Sequence, residues 1–107
     1  MATIATLTVK PNDSFEGTLA TLIVKAPIMI VPNAGKSKDS EPDYRIFSRK
    51  TGYEMGGGWK RFSQTTGAEY VSVSLSAPEF SDTIYGNIAN APGDDPTRKV
   101  IIWNPPA

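Results

Sequence analysis

The chain has 107 residues, 39% of them apolar and 21% charged, with eleven basic residues against eleven acidic ones. That length suits one domain with one hydrophobic core, and that composition matches neither a disordered chain nor a membrane protein. The absence of cysteine and histidine excludes disulfides, thiolate metal sites and cysteine nucleophiles, and removes the usual general base near neutral pH.

No run approaches the roughly 18 apolar residues of a membrane span. The opening Met1-Ala2-Thr3-Ile4 lacks the charged and apolar regions of a signal peptide, so a cytoplasmic location is the expectation.

In chain order, the segments Thr3–Val9, Phe15–Leu22, Ile28–Val31, Tyr44–Arg49, Tyr70–Leu75, Thr83–Ile88 and Val100–Trp103 are rich in β-branched and aromatic residues. They predict seven short strands. Several alternate, placing Ala5, Leu7 and Val9 on one face, Val71, Val73 and Leu75 on another, and Ile84, Gly86 and Ile88 on a third. This period suits antiparallel strands with one wet face. The expected core therefore holds Leu7, Val9, Val71, Val73, Leu75, Ile84 and Ile88, with Tyr44 and Ile46 on the inner side of the fourth segment.

Between the strands lie turn formers: Pro11-Asn12-Asp13-Ser14, Pro32-Asn33-Ala34-Gly35, Lys50-Thr51-Gly52, Thr65-Thr66-Gly67 and Pro92-Gly93-Asp94-Asp95-Pro96. No stretch of a dozen residues keeps helical spacing without Gly or Pro, and one helical turn near Ala77–Phe80 is the most the pattern allows. The fold class is thus all-β, a single antiparallel meander, barrel or sandwich. Residues 33–43 are the longest polar stretch and are expected to form a mobile loop. Residues 104–107 read as a frayed tail.

The fourth of these turn regions permits a register to be written. A three-residue loop Thr65-Thr66-Gly67, with Gly67 left-handed, sets Gln64 opposite Ala68, Phe62 opposite Tyr70 and Lys60 opposite Ser72. Trp59 then joins Val71, Val73 and Leu75 on one face. Lys60, Phe62 and Tyr70 share the other, an aromatic pair beside a cation.

Motifs for chemistry are weak. Gly35-Lys36-Ser37 ends like a phosphate-binding loop, but the required first glycine falls at Ile30. Gly56-Gly57-Gly58 reads as relief for a bent strand or bulge. Asp94-Asp95 reads as a solvated turn rather than a cation site. No spacing marks a nucleophile with its base, so no catalytic residue, metal or cofactor is expected.

The functional hint lies in charge placement. Residues 36–61 carry seven basic groups against four acidic ones, whereas residues 62–107 carry two against five. Within the basic segment, rings alternate with cations: Arg45, Phe47 and Arg49 on one strand face, Lys50 beside them, and Lys60, Phe62 and Tyr70 on the hairpin. Such a β-surface holds single-stranded nucleic acid when rings stack on bases and cations follow phosphates. The same residue types anchor protein interfaces.

Taken in order, Pro42-Asp43-Tyr44-Arg45-Ile46-Phe47, Trp59-Lys60-Arg61, Tyr70-Val71-Ser72-Val73-Ser74-Leu75 and Ile84-Tyr85-Gly86-Asn87-Ile88 resemble the bacterial domain-of-unknown-function family 736. The opening Met1–Leu7 and Phe15–Leu19 extend the resemblance over nearly the whole chain. The resemblance brings no established activity and no catalytic residues. It implies a protein of plasmids and other mobile elements, concerned with conjugation, DNA maintenance or suppression of host defence. Two expectations follow: a nucleic-acid-binding β-domain, or a protein-binding inhibitor of a host nuclease or CRISPR complex. Oligomeric state and strand order stay open.

Overall fold

In a computed structural model, residues 2–22, 24–80, 82–93 and 95–104 are described. Eight strands follow one another: β1 (Thr3–Lys10), β2 (Ser14–Ala20), β3 (Lys25–Pro32), β4 (Tyr44–Ser48), β5 (Glu54–Phe62), β6 (Glu69–Leu75), β7 (Ile84–Asn90) and β8 (Arg98–Trp103). Each pairs antiparallel with its chain neighbour, and β8 returns to β1 through Ala5 opposite Ile101 and Leu7 opposite Lys99. The sheet is a closed meander barrel, so among the described residues its strands present no unpaired edge.

The expected strands are all present, and β5 is the addition. Strand propensity passes over β5 because Gly56-Gly57-Gly58 forms its centre, and glycine is depleted in strands. Neighbouring atoms demand those glycines. A β-carbon at Gly56 would lie 1.8 Å from the Ser74 carbonyl oxygen, and one at Gly57 would lie 2.9 Å from Pro42 Cβ. A bulge between β4 and β5 leaves Met55 as the extra residue, and Met55 is buried.

The inward row fills the barrel. Leu7, Leu19, Ile28, Ile30, Ile46, Val73, Leu75 and Ile101 are fully buried. Truncating any of these leucines or isoleucines to Ala should cost about 2–5 kcal/mol. Of the expected core, Leu7, Val73, Leu75 and Ile88 are buried, while Val71 and Ile84 pack against it half-buried. Val9, near the end of β1, is also only half-buried. Tyr44 and Ile46 are buried as expected.

Two hairpin loops have one design. In Ser48–Tyr53 and Ser63–Ala68, the serine amide donates to the carbonyl five residues on, at 2.8 Å in both, and the glycine amide donates back to the serine carbonyl. The Ser48 hydroxyl accepts from the amides of Lys50 and Thr51, and the Ser63 hydroxyl from those of Thr65 and Thr66. The threonine hydroxyls of Thr51 and Thr66 accept from Tyr53 and Ala68. Gly52 and Gly67 take φ of 80° and 73°, the left-handed conformation that glycine adopts without strain. The shared pattern Ser-x-x-Thr-Gly is a local code for a four-residue loop.

That loop corrects the expected register. Four residues turn the β5–β6 hairpin instead of three, so Phe62 faces Glu69, Arg61 faces Tyr70, Lys60 faces Val71 and Trp59 faces Ser72. One residue of slip exchanges the faces. Trp59 therefore lies outside the barrel, away from Val71, Val73 and Leu75, and its indole Nε1 donates to the Ser40 carbonyl at 3.2 Å.

Residues 33–43 are laced to the barrel end. Asn33 donates its side-chain amide to the Pro42 carbonyl and its backbone amide to the Asp43 carbonyl, and the Ser37 amide and hydroxyl both donate to the Glu41 carboxylate. The Phe80 amide donates to the Ala77 carbonyl at 3.0 Å, closing a β-turn where at most one helical turn was expected. A 3-10 turn at Pro11–Asp13 joins β1 to β2. Asn104 donates its amide to Tyr85 at 2.8 Å; the rest of the expected tail, residues 105–107, lies outside the described residues.

Candidate nucleic-acid interface

An up-and-down barrel gives its loops alternately to two ends. One end carries the 33–43 loop and the β5–β6 hairpin tip, and the other carries the β2–β3 and β4–β5 loops. The sequence-predicted residues are divided accordingly. Lys60, Phe62 and Tyr70 reach the first end. Arg49 and Lys50, in the β4–β5 loop, are exposed at the second. Arg45 and Phe47 stand on the outer wall between them.

The wall pair is satisfied by its neighbours. Arg45 Nε and Nη2 donate to the two Glu54 carboxylate oxygens at 2.8 and 2.7 Å, and the guanidinium lies 5.2 Å from the Phe47 ring centroid. This bidentate pair holds the Glu54 carboxyl below its ordinary range. A cation so engaged offers little to a phosphate.

The hairpin tip differs. Lys60 and Phe62 continue the inward row of Gly58 beyond the packed core, and Arg61 and Tyr70 are a cross-strand pair on the outward row. The corrected register thus sets Phe62 and Tyr70 on opposite faces of the hairpin instead of side by side. Phe62 is 67% exposed. Lys60 and Arg61 are exposed and form no salt bridge among the described residues. Arg61 belongs to this cluster but was missed as a site residue, because the three-residue loop turned it to the face not assigned to binding.

Beneath the tip, a cavity of about 410 Å³ opens at the barrel mouth. Phe15, Tyr44, Val71 and Ile88 supply its apolar walls, and Glu69, Asn90 and Lys99 its polar rim. The Phe15 and Tyr44 rings lie 6.0 Å apart and tilted by 59°, and Lys60 Nζ stands 5.9 Å from the Tyr44 centroid. Burial pushes the Tyr44 hydroxyl above its ordinary pKa. Lys99 Nζ donates to Asn90 Oδ1.

Asp43 fixes the tip to the neighbouring loop. Its Oδ1 accepts from Lys36 Nζ at 2.7 Å and its Oδ2 from the Lys60 amide at 2.9 Å. The Lys36 bond, and then the Lys60 amide, hold its carboxyl below the ordinary range against the opposing effect of burial. Among the described residues, no three acidic side chains gather as a metal site.

Fold and end-mouth geometry define a small closed antiparallel barrel with a ring-and-cation hairpin at one end. The chain belongs to the family described as "Protein of unknown function (DUF736)", whose model matches residues 3–106. Neither a curated protein nor a solved structure matches the chain.

Proposed function

We propose that this protein is a non-catalytic, cytoplasmic binding protein of a mobile element that holds single-stranded nucleic acid at the β5–β6 tip and barrel mouth. The observation that carries this reading is Phe62, a 67% exposed ring on the same hairpin face as the exposed Lys60 cation, with exposed Arg61 on the face behind it. Exposed rings stack on any base, and adjacent cations follow the phosphates. Duplex recognition is disfavoured because, among the described residues, the meander carries no α-helix to enter a major groove. The family's association with plasmids and mobile elements, implied by the resemblance, is in keeping with a partner of this kind.

A gel-shift series at low salt tests it, with single-stranded and duplex oligonucleotides of the same sequence. The expected result is a shift of the single strand that weakens steeply as salt rises. Phe62→Ala should lose roughly 1–3 kcal/mol per stacked base, while Lys60→Ala should lower the salt slope by about one. Absence of a shift at micromolar protein overturns the reading and favours a host protein complex as the partner.

A further inference from the structure

The end opposite the hairpin tip carries apolar side chains that the nucleic-acid reading does not use. Leu22, in the β2–β3 loop, is 98% exposed. The loop is a built turn, with the Thr21 amide donating to the Val24 carbonyl at 2.8 Å and the Val24 amide to Thr21 Oγ1 at 3.3 Å. Two cavities flank it. One, of about 620 Å³, is lined by Leu19, Val24, Met55 and Phe80; the other, of about 660 Å³, is lined by Ile4, Ile84 and Trp103 with Leu22 at its edge.

A projecting leucine between two apolar hollows is a knob beside its own hole. The charges on the same end have a matching arrangement. Lys25 and Lys50 line the first cavity from the β3 and β4–β5 side, and Glu79 lines it from the β6–β7 connection, which also carries exposed Asp82. A twofold axis through this end would set each basic side against the other copy's acidic side and each Leu22 into the other copy's hollow. This is the self-complementarity an isologous interface requires. The molecule measures 35 × 35 × 33 Å, so an end face can supply the ~800 Å² per partner of a standard interface.

We infer that the protein forms a twofold dimer through this end, with Leu22 of each copy seated in the apolar hollow of the other. The interface leaves both hairpin tips free and pointing away from each other. It does not depend on what those tips bind.

Sedimentation velocity on the full chain at about 100 μM, above the micromolar limit of weak standard interfaces, should give a dimer mass. Leu22→Asp should weaken dimerisation at least about tenfold with an unchanged circular dichroism spectrum, since the side chain is exposed. Two charge variants keep the test independent of that substitution. The all-acidic Lys25→Glu/Lys50→Glu and the all-basic Glu79→Lys/Asp82→Lys chains should each be monomeric alone and dimeric when mixed in equal amounts. A monomeric wild type, a dimer indifferent to Leu22→Asp, or a mixture that stays monomeric would each overturn the proposal, the first leaving this end to a different partner.

Discussion

Asp43 and Lys60 are joined across the barrel end, the Asp43 carboxylate accepting the Lys60 amide at 2.9 Å while its other oxygen accepts Lys36 Nζ at 2.7 Å. One side chain thus ties the 33–43 loop to the strand that carries the candidate interface. Its orientation of β5 is a property of its ionised form.

The first prediction follows from that ionisation. A carboxylate whose folded pKa is depressed adds stability that is present above its unfolded pKa and lost as pH falls through the folded value. Lys36 and the Lys60 amide depress Asp43, so its contribution is intact at neutral pH and declines below the ordinary Asp range near about 3.9. Melting temperatures between about pH 7 and about pH 3 should fall more steeply for the wild type than for Asp43→Asn. The variant should start lower at neutral pH. Parallel curves would show that the contact contributes nothing.

The second prediction concerns the shared loop code. Gly67→Val forces a β-branched residue to a φ of 73° and should cost at least about 1 kcal/mol. Ser63→Ala removes the acceptor of two loop amides and should cost about 0.5–1.5 kcal/mol. Urea denaturation measures both. An unchanged midpoint for Gly67→Val would contradict the four-residue loop.

A third prediction tests the glycine centre of β5. Gly56→Ala would bring its Cβ to 1.8 Å from the Ser74 carbonyl, which no rotamer relieves because both atoms belong to backbone-fixed positions. Loss of the folded near-ultraviolet dichroism signal is expected, or a destabilisation above about 3 kcal/mol, beyond the range of ordinary substitutions.

The fourth prediction separates the outer wall from the hairpin tip. Arg45→Ala should leave stability nearly unchanged, because exposed ion pairs contribute little, and should leave any single-strand gel shift as it was. Its guanidinium is already held by Glu54. A loss of binding equal to that of Phe62→Ala would extend the interface along β4.

Strand positions were legible because alternation of β-branched residues is a direct imprint of a half-buried sheet, as Val71, Val73 and Leu75 show. The centre of β5 was not, because its glycines report on the atoms crowding them, and those atoms come from Pro42 and Ser74, distant in sequence. The faces of the β5–β6 hairpin hung on a single residue of loop length. Ser63 carried the missing information: with Thr66 and Gly67 it repeats the pattern of Ser48, Thr51 and Gly52. The cation–ring content of the candidate interface could be read from composition. Its division between tip, wall and opposite end could not, since Arg45's engagement with Glu54 depends on the β4–β5 pairing.

Closure through β1 and β8 also sets a timetable. Every other strand pair joins neighbours in the chain, but Ala5 finds its partner only at Ile101. During synthesis the early hairpins can form as they emerge, each a local contact of low entropic cost. The cylinder itself cannot close until the last strand has left the ribosome, and until then β1 and the newest strand are open edges exposed to other chains. A nascent chain stalled before Arg98 should therefore remain protease-sensitive, and the step to resistance should coincide with release of β8.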